Sequence, residues 1–78
     1  MPRFHFDLRE DGVFVKDDDG LELADEKAAE QQAIDTATSV ARDAFGRGSA
    51  DRVLIEVWNT HREPLMKVAV TLKVERVD

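Results

Sequence analysis

The first fifteen residues have the sequence pattern of a β-hairpin. Phe4, Phe6 and Leu8 occupy every second position, which is the period of a strand with one buried face. Gly12 follows two acidic residues and predicts a tight turn, because glycine readily adopts positive φ angles. Residues 13–15 are all apolar and predict the short strand that returns from this turn.

A helix is the strongest prediction in the middle of the chain. Residues 17–20 predict a second turn, and residues 21–23 a brief extended segment that leads into the helix. Asp25 is a favourable N-cap, and residues 26–45 contain neither proline nor glycine. Gly46 is predicted to be the left-handed residue that ends the helix. One apolar stripe, with Ile34 and Phe45 as its large members, comprises Ala33, Ile34, Ala37, Val40, Ala41, Ala44 and Phe45.

The C-terminal third predicts a second hairpin. Val53, Ile55 and Val57 alternate with other residues as in a strand rich in β-branched side chains. Residues 59–64 contain the polar residues and the proline of a hairpin loop. Residues 65–74 alternate again and predict a long final strand, after which residues 75–78 are expected to fray.

These elements predict an α+β fold with the order ββαββ in one domain spanning residues 1–78. The helix is expected to pack on one face of an antiparallel four-stranded sheet, because its apolar stripe needs an apolar surface to cover it. The predicted buried face of the sheet comprises Phe4, Phe6, Leu8, Val53, Ile55, Val57, Val68, Val70 and Leu72.

The opposite face of this sheet has no element to cover it, which makes it a candidate interface. Leu54, Trp58, Leu65 and Ala69 are expected to lie there, beside charged residues. An aromatic residue in such a setting is typical of interaction surfaces. We therefore expect a homodimer that uses this face or the edge of the sheet. The alternative is that Trp58 only packs against its neighbours on adjacent strands.

Composition narrows the classes of partner. The chain of 78 residues has a net charge of −6, and residues 7–26 hold nine acidic and two basic side chains. Nucleic acids and anionic membranes are disfavoured as partners, because both require a basic surface. There is no cysteine, and no apolar run is long enough for a signal peptide or a membrane span, so we expect a cytoplasmic protein.

The acidic turn and the two histidines are the remaining candidates for chemistry. Asp17, Asp18, Asp19 and Glu22 form an acidic patch, which is either a solvated turn or a weak cation site using Asp17, Asp19 and Glu22. The spacing fails as an EF-hand, since the first ligand position would be an apolar valine. His5 and His61 are expected to be ordinary exposed imidazoles. We expect no catalytic residue, metal or cofactor, and hence no enzyme.

Most of the chain, and residues 1–37 most specifically, resembles a family of short bacterial proteins. The segments Met1 to Asp7, Asp11-Gly12, Asp17 to Gly20 and Glu22 to Asp25 are similar to those of proteins that begin MPRYxFH or MPRFxFD and are common in rhizobium-like alphaproteobacteria. That family is one of unknown function, so the resemblance implies a fold and a bacterial setting only.

A weaker resemblance, in element pattern alone, is to HicB-like antitoxin domains. It implies a basic protein partner, which the acidic segment would attract. The sequence thus predicts a non-enzymatic interaction or structural module that self-associates, with an antitoxin-like inhibitor or a cation-binding accessory domain as alternatives.

Overall fold

Five strands and one helix form the part of the chain that the computed structural model describes, which is residues 1–77. Every strand pairing is antiparallel, so the α+β class is confirmed. The elements are β1 (Arg3–Glu10), β2 (Val13–Val15), β3 (Leu21–Glu22), α1 (Glu26–Arg47), β4 (Arg52–Trp58) and β5 (Pro64–Thr71).

The sheet has the order β2-β1-β4-β5, and β3 also pairs with β1. The segment predicted only as extended before the helix is therefore a strand, and the predicted order ββαββ lacks it. β2 pairs with the end of β1, at residues 8–10, whereas β3 pairs with its start, at residues 3–4. β1 and β4 are thus the two central strands, and β5 forms one edge of the sheet.

Short-range signals fix both turns of the N-terminal region. Asp11 and Gly12 have φ angles of 38° and 84°, as in the two-residue type I′ turn that suits the twist of a hairpin. Gly20 has a φ of 73°, and a Cβ atom there would lie 2.8 Å from the carbonyl oxygen of Phe4. Glycine is therefore required at this second turn by conformation and by space.

The helix begins as predicted and ends two residues later than predicted. The side chain of Asp25 accepts a hydrogen bond of 2.8 Å from the backbone N–H of Ala28, as an N-cap does. The left-handed residue at the other end is Gly48, with a φ of 70°, whereas Gly46 lies inside the helix. Since the N–H of Ser49 donates to the carbonyl of Ala44, the helix closes with a Schellman motif.

The core lies between the helix and β4. Val53, Ile55 and Val57 of β4 are buried, and so is Phe4 of β1. Phe6, Leu8, Val68 and Val70 are half-buried against them. The helix contributes only small side chains to this contact, which allows close approach to the sheet. They are Ala29, Ala33, Ala37, Ala41 and Ala44.

Two residues predicted to be buried are exposed. Ile34 follows Ala33 by one position, about 100° around the helix, and 38% of its surface is accessible. The expectation that it anchors the helix is therefore wrong. Leu72 is 41% exposed, because β5 ends at Thr71 and not at residue 74. β4 begins at Arg52, so no strand lies opposite the residues after Thr71.

A bulge shifts the register at the start of β5. Val57 pairs with Met66 while Trp58 pairs with Pro64, which leaves Leu65 as an extra residue. Residues 72–77 form no regular secondary structure, and Asp78, the last residue of the predicted frayed segment, lies outside the described residues.

Candidate functional site: the open face of the sheet

The sheet face opposite the helix is called the open face here. Its side chains alternate with those of the core-facing residues. They are His5, Asp7 and Arg9 of β1, Leu54, Glu56 and Trp58 of β4, and Lys67 and Ala69 of β5. No helix or strand within residues 1–77 lies across this face, so its cover consists of its own side chains and of the loops that contain Asp17 and Arg62.

The centre of the open face is a buried aspartate. Only 1% of the surface of Asp7 is exposed. Its Oδ2 atom lies 2.6 Å from Nη2 of Arg62, and its Oδ1 atom lies 3.4 Å from Nη1 of the same guanidinium. Oδ1 also accepts a 3.0 Å hydrogen bond from the backbone N–H of Asp17. The carboxylate therefore ties two separate loops to the central strand.

Its environment keeps Asp7 ionised. Burial alone would raise the pKa of this carboxyl group, since removal from water penalises the charged form. The hydrogen bonds from Arg62 and from the N–H of Asp17 oppose that effect and outweigh it, so that the pKa of Asp7 lies below its ordinary value of 3.8. The Asp7–Arg62 contact is thus an ion pair at neutral pH.

The loop between β4 and β5 holds Arg62 in position. The side-chain oxygen of Asn59 accepts hydrogen bonds from the N–H groups of His61 and Glu63, at 2.9 and 3.0 Å. Thr60 Oγ1 donates to the carbonyl of Arg3 at 3.1 Å, which fastens the loop to β1. Arg62 itself has a φ of 59°, in the left-handed region that non-glycine residues rarely adopt.

Two arginines lie over aromatic rings on this side of the sheet. The guanidinium of Arg62 is 4.9 Å from the ring centre of Trp58, and that of Arg9 is 4.4 Å from the ring centre of Phe14. Both are cation–π distances. Arg9 also pairs with Glu56, at 2.6 Å between Nε and Oε1. The aromatic surface is therefore partly covered, which the sequence did not indicate.

Asp17, the first residue of the predicted acidic patch, has a structural role. Its Oδ2 atom accepts the backbone N–H of Phe6 at 3.0 Å, in the gap on β1 between β2 and β3. Its Oδ1 atom accepts the N–H of Gly20 at 3.0 Å. The Nδ1 of His5 lies 2.9 Å from the carbonyl of Asp17 and must be the donor, because a carbonyl oxygen only accepts. His5 is half-buried, so the expectation of an exposed imidazole is wrong for it.

Basic side chains pair with two carboxylates of the rest of the acidic patch, those of Asp18 and Glu22. Arg3 donates to the carbonyl of Asp19 at 2.8 Å and pairs with the carboxylate of Glu22 at 3.2 Å. Lys16 lies 3.7 Å from the carboxylate of Asp18. Within residues 1–77, no three His, Asp or Glu side chains are grouped so as to hold a metal ion. Asp17, Asp19 and Glu22 therefore do not converge on a cation site.

The four predicted interface residues do not form one patch. Leu54 and Ala69 are cross-strand neighbours on the open face, and Trp58 lies on that face under Arg62. Leu65, the extra residue of the bulge, packs against the helix-side core. A groove of about 200 Å³ beside the bulge is lined by Trp58 and Leu65, among others.

Sequence reasoning missed Asp7 and Arg62, the most constrained polar pair of the molecule. Asp7 occupies a polar position of an alternating strand, where a solvated side chain is the usual outcome. Arg62 lies in a polar loop, 55 residues away in the chain. No spacing in the sequence relates two such positions, since only the pairing of β1 with β4 brings them together.

Comparison with known proteins places the chain in a family. A family model described as a domain of unknown function, DUF6894, matches residues 3–71. The chain belongs to this family. The match extends from the first residue of β1 to the last residue of β5, so DUF6894 corresponds to the whole sheet with its helix. The expectation of a family of unknown function is confirmed, whereas its bacterial distribution and the HicB-like resemblance stay predictions.

No curated protein and no solved structure matches the DUF6894 chain. Among residues 1–77, α1 with its 22 residues is too polar to cross a membrane.

Proposed function

We propose that this DUF6894 domain is a non-enzymatic interaction module that self-associates. The proposal rests on the small number of large apolar side chains that the core of the domain buries. Among residues 1–77, the largest fully buried side chains are Ile55, Val53, Val57 and Asp7. More large apolar residues are exposed than are fully buried, namely Met1, Val13, Phe14, Val15, Leu21, Ile34, Leu72, Val74 and Val77.

A domain of this size gains little stability from its own core. Short chains bury a smaller fraction of their surface than long ones and commonly rely on disulfides, metals or association. The chain has no cysteine, and the described residues contain no metal-binding group. Of these three sources of stability, association therefore remains. The partner we propose is a second copy of the same chain.

The engagement of the polar residues supports a non-enzymatic role. A catalytic acid, base or nucleophile needs a free position from which to reach a substrate. Asp7 has both carboxylate oxygens bonded within the chain, and Asp17 has its two oxygens on backbone N–H groups. His5 donates to a backbone carbonyl. These contacts stabilise loops, which is the role we assign to them.

The two alternatives receive less support from the geometry. An antitoxin-like inhibitor of a basic partner would need an acidic surface, but Arg3 and Lys16 pair with the carboxylates of Glu22 and Asp18. A cation-binding accessory domain would need free carboxylates at residues 17–22, and those of Asp17 and Glu22 are engaged.

Sedimentation velocity over a range of concentrations tests the proposal. We expect the mass to rise from the 8.8 kDa of one chain to twice that value between low and high micromolar concentrations. Raised salt should leave this association intact, because its source is apolar contact and backbone pairing. A mass of 8.8 kDa at several hundred micromolar would contradict self-association.

A further inference from the structure

The two edges of the sheet differ in how their backbone groups are satisfied. On the outer edge of β1, β2 and β3 pair with the two ends of the strand. The carboxylate of Asp17 accepts the N–H of Phe6 between them. Short strands and a side-chain cap are means by which proteins protect a sheet edge from further pairing. This edge is closed.

Among residues 1–77, the outer edge of β5 has no paired strand and no side-chain cap, and its protective features, Pro64, the bulge at Leu65 and Lys67, all lie in its first half. The N–H of Leu72 donates to the carbonyl of Asp51, in line with β4, at 2.8 Å. Because N–H groups alternate in direction along an antiparallel strand, those of Val68 and Val70 also point towards β4. The N–H and C=O groups of Lys67, Ala69 and Thr71 therefore point away from the sheet, where no strand of residues 1–77 pairs with them.

We propose that β5 pairs with β5 of a second copy, antiparallel about a two-fold axis at Ala69. This inference rests on the proposed self-association and names the surface that it uses. In this register Ala69 lies opposite its own counterpart, and Lys67 lies opposite Thr71 of the second copy. The outward-pointing groups of these residues then form the hydrogen-bonded pairs of a continuous sheet. Its order is β2-β1-β4-β5-β5-β4-β1-β2.

Charge distinguishes this register from its neighbours. Hydrogen bonding between outward-pointing residues allows a two-fold axis at any position from Lys67 to Thr71. An axis at Thr71 places Lys67 and Ala69 opposite residues 75 and 73, beyond the end of β5, and leaves only Thr71 paired within the strand. An axis at Lys67 places that lysine opposite itself, and an axis at Val70 places it opposite Lys73. Like charges directly opposite one another destabilise a sheet. The axes at Val68 and Ala69 avoid both conflicts.

The helix side of β5 favours the axis at Ala69. Met66, Val68 and Val70 face the core but are only half-buried, whereas the corresponding residues of β4 are fully buried. The core is thus open towards the β5 edge. With the axis at Ala69, Met66 lies opposite Leu72 of the second copy, and Val68 lies opposite Val70. Leu72, exposed in the single chain, gains an apolar neighbour.

Disulfide trapping tests the register, since the chain has no native cysteine. In Ala69→Cys, the two cysteines lie opposite one another at about 5.5 Å between Cα atoms, within the range of a disulfide. In Thr71→Cys, the two cysteines are displaced by four residues, about 13 Å along the strand. We expect a covalent dimer from Ala69→Cys and none from Thr71→Cys under the same mild oxidation. Equal cross-linking of both variants would overturn the register.

A charge variant tests the surface without cross-linking. Ala69→Lys adds a lysine opposite its counterpart and diagonal to Lys67 of the second copy, so the dimer dissociation constant should rise about five- to tenfold. Ala24→Lys adds the same charge at an exposed residue outside the strands and should leave that constant unchanged. Circular dichroism checks that both variants fold.

The outcomes separate the two proposals. A wild-type chain that stays monomeric overturns self-association and the β5 pairing together. A wild-type dimer that Ala69→Lys does not weaken, with no covalent dimer from Ala69→Cys, overturns the β5 pairing and leaves self-association supported.

Discussion

The buried pair of Asp7 and Arg62 gives the most direct test of how the open face is stabilised. The substitution Asp7→Asn keeps the shape of the side chain and an acceptor for the N–H of Asp17, but it removes the charge that Arg62 binds. Removing one member of a buried ion pair costs about 3–5 kcal/mol. Because 35% of the Arg62 side chain is exposed to solvent, we expect Asp7→Asn to cost less than a fully buried pair would, about 2–3 kcal/mol.

Urea unfolding followed by fluorescence measures this loss, with Trp58 as the only tryptophan. A double-mutant cycle with Arg62→Met, which keeps an apolar stem over Trp58, isolates the pair itself. We expect a coupling energy of about 1 kcal/mol or more between the two positions. A loss below about 0.5 kcal/mol for Asp7→Asn would refute the reasoning, since it would equal an ordinary surface substitution.

The pH dependence gives a second measurement of the same pair. The pKa of Asp7 is lowered in the folded chain, so its contribution to stability is present above the pKa of the unfolded chain and is lost as the pH falls through the folded pKa. The gap in free energy of unfolding between wild type and Asp7→Asn should therefore be constant near neutral pH and narrow below about pH 4. A gap that stays constant down to pH 2 would contradict the ionised pair.

Three other positions give predictions that urea unfolding also measures. Gly20→Ala should cost about 1–3 kcal/mol, because φ is positive and the new Cβ meets a backbone oxygen of β1 at 2.8 Å. Gly12→Ala should lower the free energy of unfolding by a smaller amount, because no atom lies within 4 Å of the new Cβ. Equal losses for Gly12→Ala and Gly20→Ala would contradict the steric argument. Asp25→Ala should lower the free energy of unfolding by about 1 kcal/mol, because the N-cap of α1 is lost. An unchanged free energy of unfolding would mean that the cap does not stabilise the domain. Ile55→Ala should cost about 2–5 kcal/mol and Ile34→Ala far less, and the reverse order would contradict the assigned core.

The features that the sequence predicted well depend on neighbouring residues. The turn at Asp11-Gly12, the N-cap at Asp25 and the alternation of β4 are all encoded within a few positions, and the structure contains each of them. The helix end shows the limit of such signals. Gly46 and Gly48 are both acceptable left-handed residues, and the helix continues to the second of them.

The features that the sequence did not predict depend on pairing between distant segments. Leu72 satisfies the alternation of β5, but its burial depends on where β4 begins. The bulge at Leu65 shifts that residue to the core without any change in the pattern of the chain. Asp17 lies in an apparent acidic turn, and its role follows only from the gap between β2 and β3 along β1.

We expect self-association at the β5 edge of the sheet and not at the open face, because two arginines form ion pairs on the open face. Arg9 and Arg62 lie across the rings of Phe14 and Trp58, and their charges are paired with Glu56 and Asp7. Burial of this face in a dimer would remove those ion pairs from solvent at a cost that the aromatic contact must exceed. Pairing along β5 carries no such cost.

The emission of Trp58 distinguishes these two surfaces in the unmodified protein. If two copies meet along β5, the surroundings of Trp58 on the open face stay the same, and its emission maximum should not change when the protein is diluted from dimer to monomer. If two copies meet through the open face, dilution exposes the indole and the maximum moves to longer wavelength. A red shift that follows the change in mass would therefore contradict association at the β5 edge.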